Sequence, residues 1–180
     1  MSVATAMPFA STAQPQVWLL PDGGPQAQAV PWMARWEAAH GYARLEQHDW
    51  QRPLRGDWSA RLQETLVDAP GPVVLVASGL GCLLTAWWAA HSPAAAKVRG
   101  ALLVAPADVE QPGLREQLPG WSPMARQRLP FPSILVGRAQ AASALAQAWG
   151  AEYIALDDVV DGFSGDWGAG HALLQTFLKD

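Results

Sequence analysis

The sequence predicts a doubly wound α/β fold, a mostly parallel sheet with helices on both faces, and three observations lead there. Short apolar runs alternate with helical patterns along nearly the whole chain. Several runs, among them Val73-Val-Leu-Val-Ala77 and Ala101-Leu-Leu-Val-Ala105, are apolar throughout, as strands covered on both faces must be. The 180 residues are 50% hydrophobic and only 16% charged, which supplies the core of one domain and excludes a disordered chain.

Taken in order, strands are expected at Val17–Leu20, Ala43–Gln47, Val73–Ala77, Ala101–Ala105, Ser133–Val136 and Glu152–Leu156. Helices are expected near 31–40, 57–68, 80–91, 139–149 and 169–178. Asp57 suits an N-cap, and Gly41 and Gly150 stand where helices should stop. Residues 1–15 read as a loose N-terminal tail and 16–180 as a single domain. The stretch from Pro106 to Pro132 carries six prolines and one short helical pattern near 113–118, and reads either as a surface crossover or as a lid.

Composition excludes several classes. A net charge of −4 offers no basic surface for nucleic acid. The longest apolar run, around Val98 to Pro106, falls short of the roughly 20 residues of a membrane span. The first ten residues lack a positive charge and a sustained apolar segment, so a cytoplasmic protein is expected. Cys82 is the sole cysteine, so no internal disulfide can form. Neither His48-Asp49 nor Asp157-Asp158 has a third ligand at a recognisable spacing, and no metal is expected. A phosphate-binding loop fails for want of Gly-Lys-Ser/Thr. A dinucleotide fingerprint fails because Gly79-Leu-Gly81 stops at G-x-G on the third strand. No cofactor is implied.

Ligands of such sheets bind beyond the carboxyl ends of the strands. That directs attention to Pro21-Asp-Gly-Gly24, Ala77-Ser-Gly-Leu-Gly81, Gly137-Arg-Ala-Gln140 and the segment after Leu156. The second of these, strand then glycine-bearing turn then helix, matches a nucleophile elbow.

Further segments carry a resemblance. They are Pro21 with Trp32 and Trp36-Glu37, Glu46-Gln-His-Asp-Trp-Gln-Arg-Pro53 with Asp57-Trp58, and Leu80-Gly-Cys82. Leu102-Leu-Val-Ala-Pro-Ala-Asp-Val-Glu-Gln-Pro112, Leu129-Pro-Phe-Pro-Ser-Ile-Leu-Val136, Trp149-Gly150 and Gly165-Asp-Trp-Gly-Ala-Gly170 complete it. Over residues 17–178 the chain resembles the small serine hydrolases related to YdeN and to retinoblastoma-binding protein 9. The resemblance implies a compact α/β-hydrolase fold. It also implies that most of the ten tryptophans are inherited scaffold.

The resemblance breaks at the catalytic positions. Relatives read Ala-His-Ser-Leu-Gly-Cys at the elbow, where this chain reads Ala77-Ser-Gly-Leu-Gly-Cys82. Gly79 therefore takes the nucleophile's place, and glycine relieves the backbone strain of an elbow that needs no side chain. The triad acid's place falls about Ala139, and the histidine's between Asp157 and Asp161; neither residue type is present. Cys82, beside the elbow as in relatives, is expected to be structural. Trp87-Trp88 are expected to pack in the core.

The expected protein is thus a hydrolase scaffold without catalysis that binds an unknown small molecule or a protein partner. Its ligand contacts are expected from Asp22, Gly23, Ser78, Gly79, Leu80 and Trp121. The backbone N–H of Leu80 and one from Asp22-Gly23-Gly24 would form the remnant of an oxyanion hole. The alternative is an active esterase on small esters, with Ser78 as a displaced nucleophile and His171 as a relocated base.

Overall fold

A computed structural model describes residues 14–25, 30–158 and 165–179. The alternating pattern folds into β1 (Gln16–Leu20), α1 (Pro31–His40), β2 (Ala43–Arg44), α2 (Arg55–Val67), β3 (Val73–Gly79) and α3 (Leu80–His91). A 3₁₀ turn at Pro93–Lys97 leads into β4 (Val98–Pro106), α4 (Pro112–Gln117), β5 (Ser133–Gly137) and α5 (Ala139–Trp149). The chain then forms β6 (Glu152–Ala155), a 3₁₀ turn at Leu156–Asp158 and α6 (Gly168–Leu178).

The six strands form one sheet in the order β2-β1-β3-β4-β5-β6, parallel at every pairing. Alternation along the central strands divides the core into two layers. Val73, Leu75 and Ala77 of β3, with Ala101 and Leu103 of β4, face the layer built by Leu62, Leu66, Leu83, Trp88, Leu145 and Trp149 of α2, α3 and α5. Val74, Val76, Leu102 and Val104 face the other layer, built by Trp32, Met33 and Trp36 of α1 and by Leu174 and Phe177 of α6. Helices on both faces explain why these strands are apolar throughout.

Tryptophan fills much of this space. Trp32, Trp36, Trp58, Trp121, Trp149 and Trp167 are all fully buried. Several place the indole N–H on a carbonyl: Trp36 on Asp166 at 2.6 Å, Trp121 on Pro53 at 2.9 Å and Trp149 on Ala125 at 2.8 Å.

Three expectations need adjusting. The second strand is two residues long, not five: β2 lies at the sheet edge, where Ala43 and Arg44 stand opposite Trp18 and Leu19 and the Leu45 N–H makes a last bond to the Leu19 carbonyl. Helix α2 begins at Arg55, with Leu54 in the capping position, so Asp57 sits in the first turn and is not the cap. Trp87 is part-exposed, carrying the Arg55 guanidinium 3.4 Å above its ring, whereas Trp88 is buried as expected. The proline-rich stretch is a packed crossover, anchored by buried Val109, Leu118, Trp121, Leu129 and Phe131. Gly41 and Gly150 do end α1 and α5, both in the left-handed conformation.

Candidate functional site

The carboxyl ends of β1 and β3 meet at the elbow. β3 runs without a break into α3, and Gly79 at the junction adopts φ 56° and ψ −118°. That backbone disfavours any residue with a side chain, so the sharp turn persists although its apex bears none. Gly81 lets α3 start close against β1. A Cβ there would stand 2.3 Å from the Leu20 carbonyl oxygen.

The space above Gly79 is occupied. A Cβ built on Gly79 would lie 2.1 Å from Cγ of Asp22 and 2.3 and 2.4 Å from its two carboxylate oxygens. Oδ1 of Asp22 accepts hydrogen bonds from the backbone N–H of Leu80 at 2.7 Å and from its neighbour Gly23 at 2.9 Å. Two N–H groups converging on one oxygen are the arrangement an oxyanion hole requires. Here the oxygen belongs to the protein itself.

The loop that holds Asp22 is braced from below. The Gly24 N–H donates to the Trp50 carbonyl at 2.8 Å. The rim of the Trp58 ring fits against Gly23, where a Cβ would collide at 2.4 Å. Trp58 makes edge contacts with Trp50 and Trp121, at 5.5 and 5.7 Å between ring centroids.

Burial raises the Asp22 pKa from its ordinary value, and the hydrogen bonds from Leu80 and Gly23 oppose that shift without cancelling it. No salt bridge reaches this carboxylate among the described residues. Burial likewise pushes the Cys82 thiol far up, and its Sγ points to the Val104 carbonyl at 3.5 Å. Cys82 is therefore an unreactive core residue.

The other expected site residues are dispersed. Ser78 is buried and, by strand alternation, shares the face of Val74 and Val76, on the α1 and α6 side of the sheet. His171 stacks on His40 at 4.2 Å, and its Nε2 lies 2.9 Å from the Tyr42 hydroxyl. Tyr42 directly precedes Ala43, which pairs with Trp18, whereas Ser78 follows Ala77, which pairs with Leu20. The two levels differ by four strand positions, roughly 13 Å. Trp121, expected in a ligand pocket, is 1% exposed and its indole N–H is taken by Pro53.

At the acid position, α5 starts at Ala139 directly after β5 and Arg138. Arg138 Nε lies 3.9 Å from Asp157 Oδ1, both side chains largely exposed. The ends of β5 and β6 are thus neighbours, with a cation facing an anion beside the positions where the resemblance implied an acid and a histidine. Asp161 lies outside the described residues. Among those described, no group of three or more metal-ligating side chains gathers anywhere, and no helix is long and apolar enough to cross a membrane.

Sequence reasoning counted Asp22 for its loop backbone and missed its carboxylate as the occupant of the hole. A signal was present: an acid precedes two glycines after the first strand, in a chain whose elbow residue is glycine.

Comparison with known proteins agrees with this architecture. A YdeN-like hydrolase from Pectobacterium atrosepticum superimposes with a TM-score of 0.72 at 21% identity, over 91% of this chain and 90% of that one. The ydeN gene product of Bacillus subtilis superimposes with a TM-score of 0.63 at 19% identity, over 92% of this chain and all of the other. No curated protein matches the sequence. The family model described as serine hydrolase matches residues 19–176, nearly the full length of the fold. By that match, with its elbow, hole and parallel sheet in place, the chain belongs to the serine hydrolase family.

Proposed function

We propose that this protein is a member of the family that has lost ester hydrolysis and retains the site for binding. The observation that carries the reading is the Asp22 carboxylate, which fills the volume above Gly79 and takes both N–H donors of the hole. A substrate carbonyl would have to displace an internal anion, and no nucleophile stands at the apex to attack it. In a well-studied triad, removal of the serine alone costs about 10⁶ in turnover, so the missing groups outweigh any residual benefit of the hole. The lone buried cysteine suits a cytoplasmic location, which is part of the same reading.

Labelling with a fluorophosphonate probe tests the proposal, alongside hydrolysis of short p-nitrophenyl esters. A folded sample should neither label nor turn over above background, while an active relative does both. Robust hydrolysis abolished by Ser78→Ala would overturn it.

A further inference from the structure

Three rings from three segments meet beside the β2 edge of the sheet. The His40 ring, at the end of α1, stacks on the His171 ring in the first turn of α6, 4.2 Å between centroids and 13° from parallel. Tyr42, just before β2, lies against both, 5.1 Å from His40 and 6.0 Å from His171, with its hydroxyl 2.9 Å from His171 Nε2. Trp36 meets His171 edge-on at 5.1 Å. On either side of this turn Trp167 and Leu174 are buried in the core, and between them His171 carries the ring contacts to α1. The charged groups nearby are few. Glu37 of α1 is paired with Arg44 of β2, and Arg35 with Asp166. Lys179, after α6, lines the same surface cleft as His40 and Tyr42. Among the described residues no carboxylate pairs with either imidazole.

We propose that the His40–His171 stack is a pH-sensitive latch, which holds the first turn of α6 on the end of α1 while at least one ring is neutral and opens when both are protonated. The device sits away from the elbow and does not depend on the reading given to Asp22. Imidazole is the side chain whose charge changes between about pH 5 and 8. Two imidazolium rings in face contact repel, and no carboxylate stands by to offset the second charge. Tyr42 favours neutral His171 as well: its hydroxyl can donate to a bare Nε2 and must turn once that nitrogen carries a proton. Burial, then the His40 charge, draws the His171 pKa below the ordinary imidazole value. Opening restores the ordinary proton affinity, so the open form gains as pH falls through the value near 6.5. Because Trp167 and Leu174 stay anchored, the opening is local to one helical turn.

The experiment follows amide exchange of the whole chain by NMR from pH 7 to pH 5, with rates corrected for intrinsic exchange, together with the imidazole proton signals. Protection at Ala172 and Leu173 of α6 should fall by about threefold or more beyond the fall at Val76 and Leu102 in the central strands. His40→Gln, a change at an exposed helix end, should remove that excess and raise the pH at which His171 titrates. His171→Gln should remove the excess as well. Equal loss of protection in α6 and the strands, an excess that survives both substitutions, or a His171 titration that His40→Gln leaves in place would each overturn the latch.

Discussion

Asp22 and Gly79 share one volume: the carboxylate of the first lies where a side chain on the second would begin, 2.1 Å from a Cβ built there. The two residues come from the ends of adjacent parallel strands and are coupled by sterics as well as by the Leu80 hydrogen bond. Each constrains what the other can be.

The coupling is measurable as a double-mutant cycle. Gly79→Ala combines a positive φ with a collision, and should destabilise by roughly 2–4 kcal/mol. With Asp22→Ala already in place the collision is gone, so the same change should cost less, with about 1 kcal/mol or more of interaction energy. Urea unfolding of the four proteins checks it; strict additivity would separate the two residues energetically.

Asp22 should also weaken the fold at neutral pH. Its native pKa is raised by burial, so the native state holds its proton more tightly than the unfolded chain does. Its stability penalty is therefore complete at neutral pH and is relieved as pH falls through the native pKa. Asp22→Asn, which keeps the acceptor oxygen, should unfold at a higher temperature than the parent at pH 7. That advantage should shrink as pH approaches 4. An advantage that grows on acidification would contradict the cause assigned to the shift.

His171 works in the opposite sense. Burial first, then the neighbouring His40 charge, lowers its pKa below the ordinary imidazole value. The unfolded chain thus binds the proton more readily, and stability contributed by the neutral ring is lost as pH falls through the unfolded value near 6.5. The loss levels off below the native pKa, where both states are protonated. His171→Gln should flatten the decline in melting temperature between pH 7 and 5, as followed by circular dichroism.

Lys97 ties the end of α2 to the start of β4. Its ammonium donates to the carbonyls of Leu66, Val67 and Ala69 at 3.0, 2.6 and 3.0 Å, closing a helix end that has no other basic group in its last turn. Charge-assisted bonds to carbonyls freed by a helix C-terminus are stabilising, so Lys97→Met should cost about 1–3 kcal/mol. The change should appear as a drop in melting temperature of roughly 2–4 °C per kcal/mol. A shift under one degree would make the three bonds energetically silent.

The positions of the central strands were legible because burial on both faces forces an unbroken apolar run, as in Val73–Ala77 and Ser133–Val136. Gly41 and Gly150 were legible for an equally local reason, since a left-handed stop favours glycine. The lengths of β2 and α2 were not. Pairing at a sheet edge is decided by the neighbouring strand, and the first turn of α2 carries Arg55 on Trp87, a contact between helices distant in sequence.

The same division runs through the site. By itself the sequence determined the parallel α/β sheet, the elbow between β3 and α3, and the glycine at its apex, because each depends on local pattern and backbone conformation. Only the tertiary structure decided what fills that apex. Asp22 reaches Leu80 across 58 positions of chain because parallel pairing of β1 with β3 sets their carboxyl ends side by side. It separated Ser78 from His171 for a related reason: strand register fixes how far apart two levels of the sheet lie, and the order of residues along the chain does not.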